Sequence, residues 1–125
     1  VALANLKIIE DEKLVEKVRD DTGPYLAAAL AQLADHPLVG EVRSFGMLAA
    51  IELVKDKAGP VLFDPVGAVG VICRDHAISG GMMMRAVRDG MILSPPLTFG
   101  RDDIDKAVGI ASMALDQTAA DLNIR

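Results

Sequence analysis

At 125 residues the chain is long enough to bury a core without disulfides or a metal, and a single domain is expected. With 18 acids against 13 bases the net charge is -5, and only 3% of residues are aromatic, which excludes the basic footprint and stacking platforms of a nucleic-acid binder. Hydrophobic residues reach 51%, yet no run approaches the roughly 18 uninterrupted apolar positions of a membrane span. No signal peptide is recognisable, and one cysteine, Cys73, with two histidines provides neither an internal disulfide nor a zinc site, so a cytoplasmic setting is expected. High apolar content with few aromatics points to surface covered by another domain or subunit.

Residues 1–9 read as a helix already under way, with Leu3, Leu6 and Ile9 on one face and neither an initiator methionine nor an N-cap ahead of them. A piece of a longer protein is the natural expectation. Asp11-Glu12-Lys13 marks a second helix start favoured by the N-terminal dipole, after which Leu14, Val15 and Val18, then Leu26, Ala29, Leu30 and Leu33, form an apolar stripe. Gly23-Pro24 interrupts it and is expected to bend one element over residues 12–34 or split it in two, ending at Asp35-His36-Pro37.

Val39, Val42 and Phe45, followed by Met47, Ala49, Ile51 and Leu53, predict an extended region broken at Gly46 by a bulge or tight turn. Residues 55–65 read as a connection, since Lys55-Asp56-Lys57-Ala58-Gly59-Pro60 and Asp64-Pro65 are turn chemistry. A helix over residues 66–78 comes next, with Asp64 or its neighbour as cap, Pro65 at its first position and Ser79-Gly80-Gly81 as its stop. Strands over residues 82–87 and 91–94 flank the turn Arg88-Asp89-Gly90, and Pro95-Pro96 forbids further pairing. A last helix starts near Asp102-Asp103 with a stripe of Ile104, Val108, Ala111 and Leu115. The order predicts an α+β fold, a small and mainly antiparallel sheet with helices packed on one face.

Arg85 stands out among candidate functional residues. It places a permanent charge inside Met82-Met83-Met84-Arg85-Ala86-Val87, a run apolar enough for sheet core, and such a cation needs an anion. Its planar fork suits a carboxylate better than any lysine does. Residue types alone allow a local acid, Asp89 or Glu52, as that partner. Val87, two residues on, shares the strand face of Arg85 and lines either a pocket wall or ordinary core.

Other constellations read more simply. Three consecutive methionines suit copper(I), but a buried strand accounts for them better. Gly67-Ala68-Val69-Gly70 lacks the spacing of a phosphate cradle and reads as close helix packing. His36 and His76 are solitary and expected to face solvent or cap. Asp20-Asp21, Asp102-Asp103 and Glu10-Asp11-Glu12 read as solvated helix termini, and nothing selects two of them as a hydrolytic pair.

The segment from Met82 to Arg85, with Asp89 four residues on and then Ser94-Pro95-Pro96-Leu97, resembles the C-terminal part of class III pyridoxal-phosphate aminotransferases of the omega-transaminase type. Val1-Ala2-Leu3-Ala4-Asn5-Leu6 with Ile8-Ile9-Glu10, and Gly40-Glu41-Val42-Arg43-Ser44-Phe45-Gly46-Met47-Leu48-Ala49-Ala50-Ile51-Glu52-Leu53-Val54, resemble the same family in the same order. The resemblance implies the small C-terminal domain of a fold-type I enzyme. In it Arg85 binds the substrate carboxylate and swings aside for bulky uncharged groups, while Val87 lines the pocket.

It implies pyridoxal phosphate as cofactor of the intact enzyme, with the Schiff-base lysine in a large preceding domain. No catalytic, cofactor-binding or metal-binding residue is then expected in this chain, which alone would be inactive and hold no cofactor. A homodimer or higher homo-oligomer acting on small amines or ω-amino acids and oxo acids such as pyruvate is implied too. An aminomutase of the family, or a standalone interaction module outside it, are the competing readings. Ser79-Gly80-Gly81 replaces a bulkier polar linker, and Arg88 a small or polar residue, which leaves the substrate range open.

Overall fold

A computed structural model describes residues 1–59 and 61–124, so Pro60 of the predicted connection lies outside the described residues. Helix α1 (Ala2–Asp11) forms as expected, but buries none of its residues; Leu3 is 83% exposed, and Leu6 and Ile8 also face outward. Lys13, in the left-handed region at φ 50°, separates α1 from the second helical stretch.

From Leu14 to Asp35 the backbone is one helical path: α2 (Leu14–Lys17), a π turn (Val18–Thr22), α3 (Gly23–Ala31) and a 3₁₀ turn (Gln32–Asp35). Pro24 has no N–H, and its ring would strike the Asp20 carbonyl in a regular helix. The path widens just ahead of it, where the Gly23 N–H bonds the Val18 carbonyl five residues back, and the helix is carried through rather than split. A side chain at Gly23 is barred as well, since its Cβ would collide with the Val18 carbonyl oxygen and crowd the Gly46 Cα at 3.3 Å. The residue added by the π turn also shifts the helical phase. Leu14 therefore aligns with buried Leu26, Leu30 and Leu33, while Val15, predicted on that stripe, is 59% exposed.

Four strands, β1 (Val39–Phe45), β2 (Leu48–Leu53), β3 (Arg85–Val87) and β4 (Gly90–Leu93), form an antiparallel sheet in the order β1-β2-β4-β3. Gly46, at φ 57°, makes the tight turn between β1 and β2, but the bulge lies elsewhere, between Val39 and Glu41. That irregularity inverts the alternation along β1. Val39 and Val42 both turn toward the core, and Phe45, expected there as well, is 90% exposed.

Helix α4 (Ala68–Ser79) starts later than predicted, with Gly67 at φ 91° as its N-cap residue; Asp64 and Pro65 precede it instead of capping it and occupying its first position. Its end matches expectation. The Gly81 N–H bonds the Ile78 carbonyl and the Met82 N–H the Ala77 carbonyl, both at 2.9 Å, with Gly81 at φ 96°. This stop explains why the predicted strand over residues 82–87 shrinks to three residues. The Met82 amide belongs to the helix end, Met83 is 88% exposed, and only Met84 is buried, so the methionines are not a buried strand.

Helix α5 (Arg101–Asp121) buries Ile104, Ala111 and Leu115 with Val108 half-buried, and packs against α3 and α4. Its start is tied to α3: Tyr25 donates to Asp105 at 2.8 Å, and Arg101, bonded to Asp21 at 2.6 Å, lies 4.8 Å from the Tyr25 ring centroid. The fold is the predicted α+β layer, with α3 on β1 and α4 on β3 and β4. Among the described residues no helix is long and apolar enough to cross a membrane.

Candidate functional site on the open face of the sheet

Alternation along the strands divides the sheet into two surfaces. Ala49, Ile51, Leu53, Met91 and Leu93 are buried beneath the helices. Their neighbours Leu48, Arg85 and Val87 are exposed on the opposite surface, which no helix among the described residues covers. Arg85 and Val87 thus share a face, as predicted, and that face is the open one.

Register places Arg85 within a row. It pairs with Ile92, Ile92 with Ala50, and Ala50 with Arg43. Three strand spacings separate the two arginine backbones by about 14 Å. Between Arg43 and Ile92, with Phe45, Leu48 and Ala50, lies a shallow apolar concavity of about 310 Å³. The sequence offered no sign of it, because its lining depends on Phe45 turning outward.

Arg85 opens the edge strand β3, anchored just behind by the buried side chain of Met84. Among the described residues Arg19, Arg43, Arg74 and Arg101 are ion-paired with acids, whereas Arg85 and Arg88 have no such partner. The two local acids that could neutralise Arg85 are engaged elsewhere. Glu52 lies 3.4 Å from Arg43, which also holds Glu41 at 2.6 Å.

Asp89, only 3% exposed, receives the Gly67 N–H at 2.8 Å and the Gly70 N–H at 2.9 Å. It therefore supplies, from the β3–β4 turn, the anion that the N-terminus of α4 favours. Gly70 is required because a Cβ there would collide with the Arg88 carbonyl and lie 3.1 Å from the Asp89 Cα. The glycines bring a turn onto a helix, in line with the packing reading. Of this arrangement the sequence showed only a turn; the four-residue spacing from Arg85 to Asp89 was the one signal available.

The remaining candidates do not join this face. His36 is 13% exposed rather than solvent-facing; its Nδ1 accepts the Leu38 N–H at 3.2 Å and its Nε2 lies 3.3 Å from Asp116. His76, at the end of α4, lies 2.7 Å from Asp121. No cluster of three or more His, Cys, Asp or Glu residues able to hold a metal occurs among the described residues.

Lys7, Lys13, Lys55, Lys57 and Lys106 are exposed, and Lys17, half-buried, is bonded to the Thr98 carbonyl at 3.0 Å. The amides at the start of α4, where a phosphate would otherwise be welcome, are taken by Asp89.

A family model described as aminotransferase class-III matches residues 1–115. The chain belongs to the class III aminotransferases. Putrescine–pyruvate aminotransferase of Pseudomonas aeruginosa is 51% identical over 120 residues, covering 96% of this chain and 26% of that protein. Diaminobutyrate–2-oxoglutarate transaminase of Halomonas elongata is 41% identical over 118 residues, 92% of this chain and 25% of the relative. The solved omega transaminase from Pseudomonas jessenii in complex with PMP superposes with a TM-score of 0.92 at 38% identity, covering 98% of this chain and 27% of that one. The class III chain thus spans about a quarter of the length of these relatives, and its α+β architecture is that of the matched part of the solved omega transaminase.

Proposed function

We propose that this chain is the C-terminal substrate-binding part of a cytoplasmic class III aminotransferase that moves an amino group from an amine or ω-amino acid to an oxo acid such as pyruvate. The observation that carries the reading is Arg85, exposed on the uncovered sheet face without an ion-pair partner among the described residues, while the nearby acids Glu52 and Asp89 are committed. A desolvating ligand carboxylate would provide the missing anion through paired hydrogen bonds. Val87, on the same face, lines the wall beside it.

The row across the sheet also favours an acceptor with one carboxylate. A second carboxylate on a short dicarboxylic acid would not reach Arg43 about 14 Å away, and Arg43 is already matched by Glu41 and Glu52. Pyridoxal phosphate, the family's cofactor, supplies carbanion stabilisation when bound. Its binding groups and the Schiff-base lysine belong to a large domain outside these 125 residues. That domain, or a second subunit in a homo-oligomer, also covers the apolar surface of Leu3, Leu6, Phe45 and Leu48, which this chain leaves exposed.

The test is Arg85→Ala in the full-length protein. Oxo-acid turnover should fall steeply while a neutral amine donor is used almost as before. Unchanged use of the oxo acid by a folded variant would remove the assignment.

A further inference from the structure

The chain holds Arg85 by its backbone and leaves its side chain free. Upstream, Met84 is buried in the core. Downstream, Val87 pairs with Gly90, and the two-residue loop between them carries Asp89 into the start of α4. Each carboxylate oxygen takes one amide, Gly67 at Oδ2 and Gly70 at Oδ1, and the Asp89 carbonyl receives the Leu53 N–H at 2.9 Å. One residue thus ties the hairpin to a helix and to the neighbouring strand. β3 is a three-residue edge strand with a neighbour on one side only, so its position is set by Met84 at its start, by α4 beneath it and by the Asp89 turn at its end.

We propose that Asp89 is a positioning residue for carboxylate recognition: by docking the β3–β4 turn on the N-terminus of α4, it fixes where the Arg85 guanidinium can reach. The proposal rests on Arg85 being the carboxylate-binding residue. Asp89 itself touches no substrate. A bidentate pair is sensitive to displacement of its base, so a small shift of the hairpin weakens the carboxylate while leaving groups bound elsewhere untouched.

The test uses the full-length enzyme. Asp89→Asn replaces one acceptor by an amide that opposes an N–H. Gly67→Ala keeps the carboxylate but strains a residue at φ 91° and brings a Cβ to 3.4 Å from the Arg88 Cα, a milder change should Asp89→Asn fail to fold. Leu30→Ala, on the buried face of α3, serves as a destabilised control.

Asp89→Asn and Gly67→Ala should each raise the oxo-acid KM and the inhibition constant of propionate roughly tenfold, with little change in KM for a neutral amine. The control should lower the melting temperature without altering the ratio of the two KM values. Combined with Arg85→Ala, Asp89→Asn should add nothing further to the propionate constant. Equal effects on amine and oxo acid, or an undiminished effect in the Arg85→Ala background, would overturn the positioning role. If Arg85→Ala itself leaves propionate binding unchanged, the carboxylate assignment fails and the proposal with it. A normal propionate constant in Asp89→Asn beside a weakened one in Arg85→Ala removes the Asp89 role alone.

Discussion

The covered and open faces of the sheet are made by the same four strands, one residue out of phase. On the covered face Ile51, Leu53 and Met91 are fully buried and share one core with residues of α3, α4 and α5. On the open face the row Arg43, Ala50, Ile92, Arg85 mixes charge with small and branched apolar side chains, the two arginines exposed and the two apolar residues half-buried. The difference teaches that burial here measures contribution to the fold, while under the proposed function the exposed, unpaired Arg85 is the charge left for a ligand.

That contrast can be broken most directly from the covered side. Ile51→Ala should cost about 2–5 kcal/mol, because the site is enclosed and cannot collapse around the lost atoms; chemical denaturation of the full-length protein measures it. Arg85→Ala, on the open side, should leave the melting temperature in place. It should reduce kcat/KM for the oxo acid by about 10- to 100-fold, the worth of hydrogen bonds to a charged group. A large stability loss at Arg85 would place it with the fold.

A smaller effect tests the covered side in the opposite sense. Thr22, fully buried in the π turn, has a hydroxyl with no hydrogen-bond partner among the described residues. Thr22→Val keeps the shape, removes the unsatisfied group and should stabilise by about 1 kcal/mol. Phe45→Ser, a large change at a residue 90% exposed, should shift the stability of the isolated chain by no more than about 0.5 kcal/mol.

Alkaline titration adds a last distinction. Burial pushes the Cys73 thiol above its ordinary range, against a smaller opposing effect from a hydrogen bond with Thr118. A raised pKa in the folded state means the unfolded chain gives up its proton first. The contribution is therefore complete below pH ~8.5 and is lost as pH rises through the folded value. Cys73→Ala should flatten that part of the stability profile, and thiol reagents should label the folded wild-type protein slowly.

Much of this was legible in the sequence. Helix periodicity placed α1, the long helix and α5, and Gly80-Gly81 placed the end of α4 as Gly46 placed the β1–β2 turn, because those signals are local and steric. The order of motifs along the chain carried the family, and the period of a strand put Arg85 and Val87 on one face. What the sequence did not reveal was where a regular period slips and which groups meet across the fold. The π turn chose Leu14 over Val15, the bulge at the start of β1 sent Phe45 outward, and the end of α4 claimed the Met82 amide from a strand. Asp89 reads as a loop acid until the tertiary structure brings Gly67 and Gly70 to it. A backbone amide carries no sequence label, and which carboxylate satisfies it is decided only when a helix and a hairpin meet.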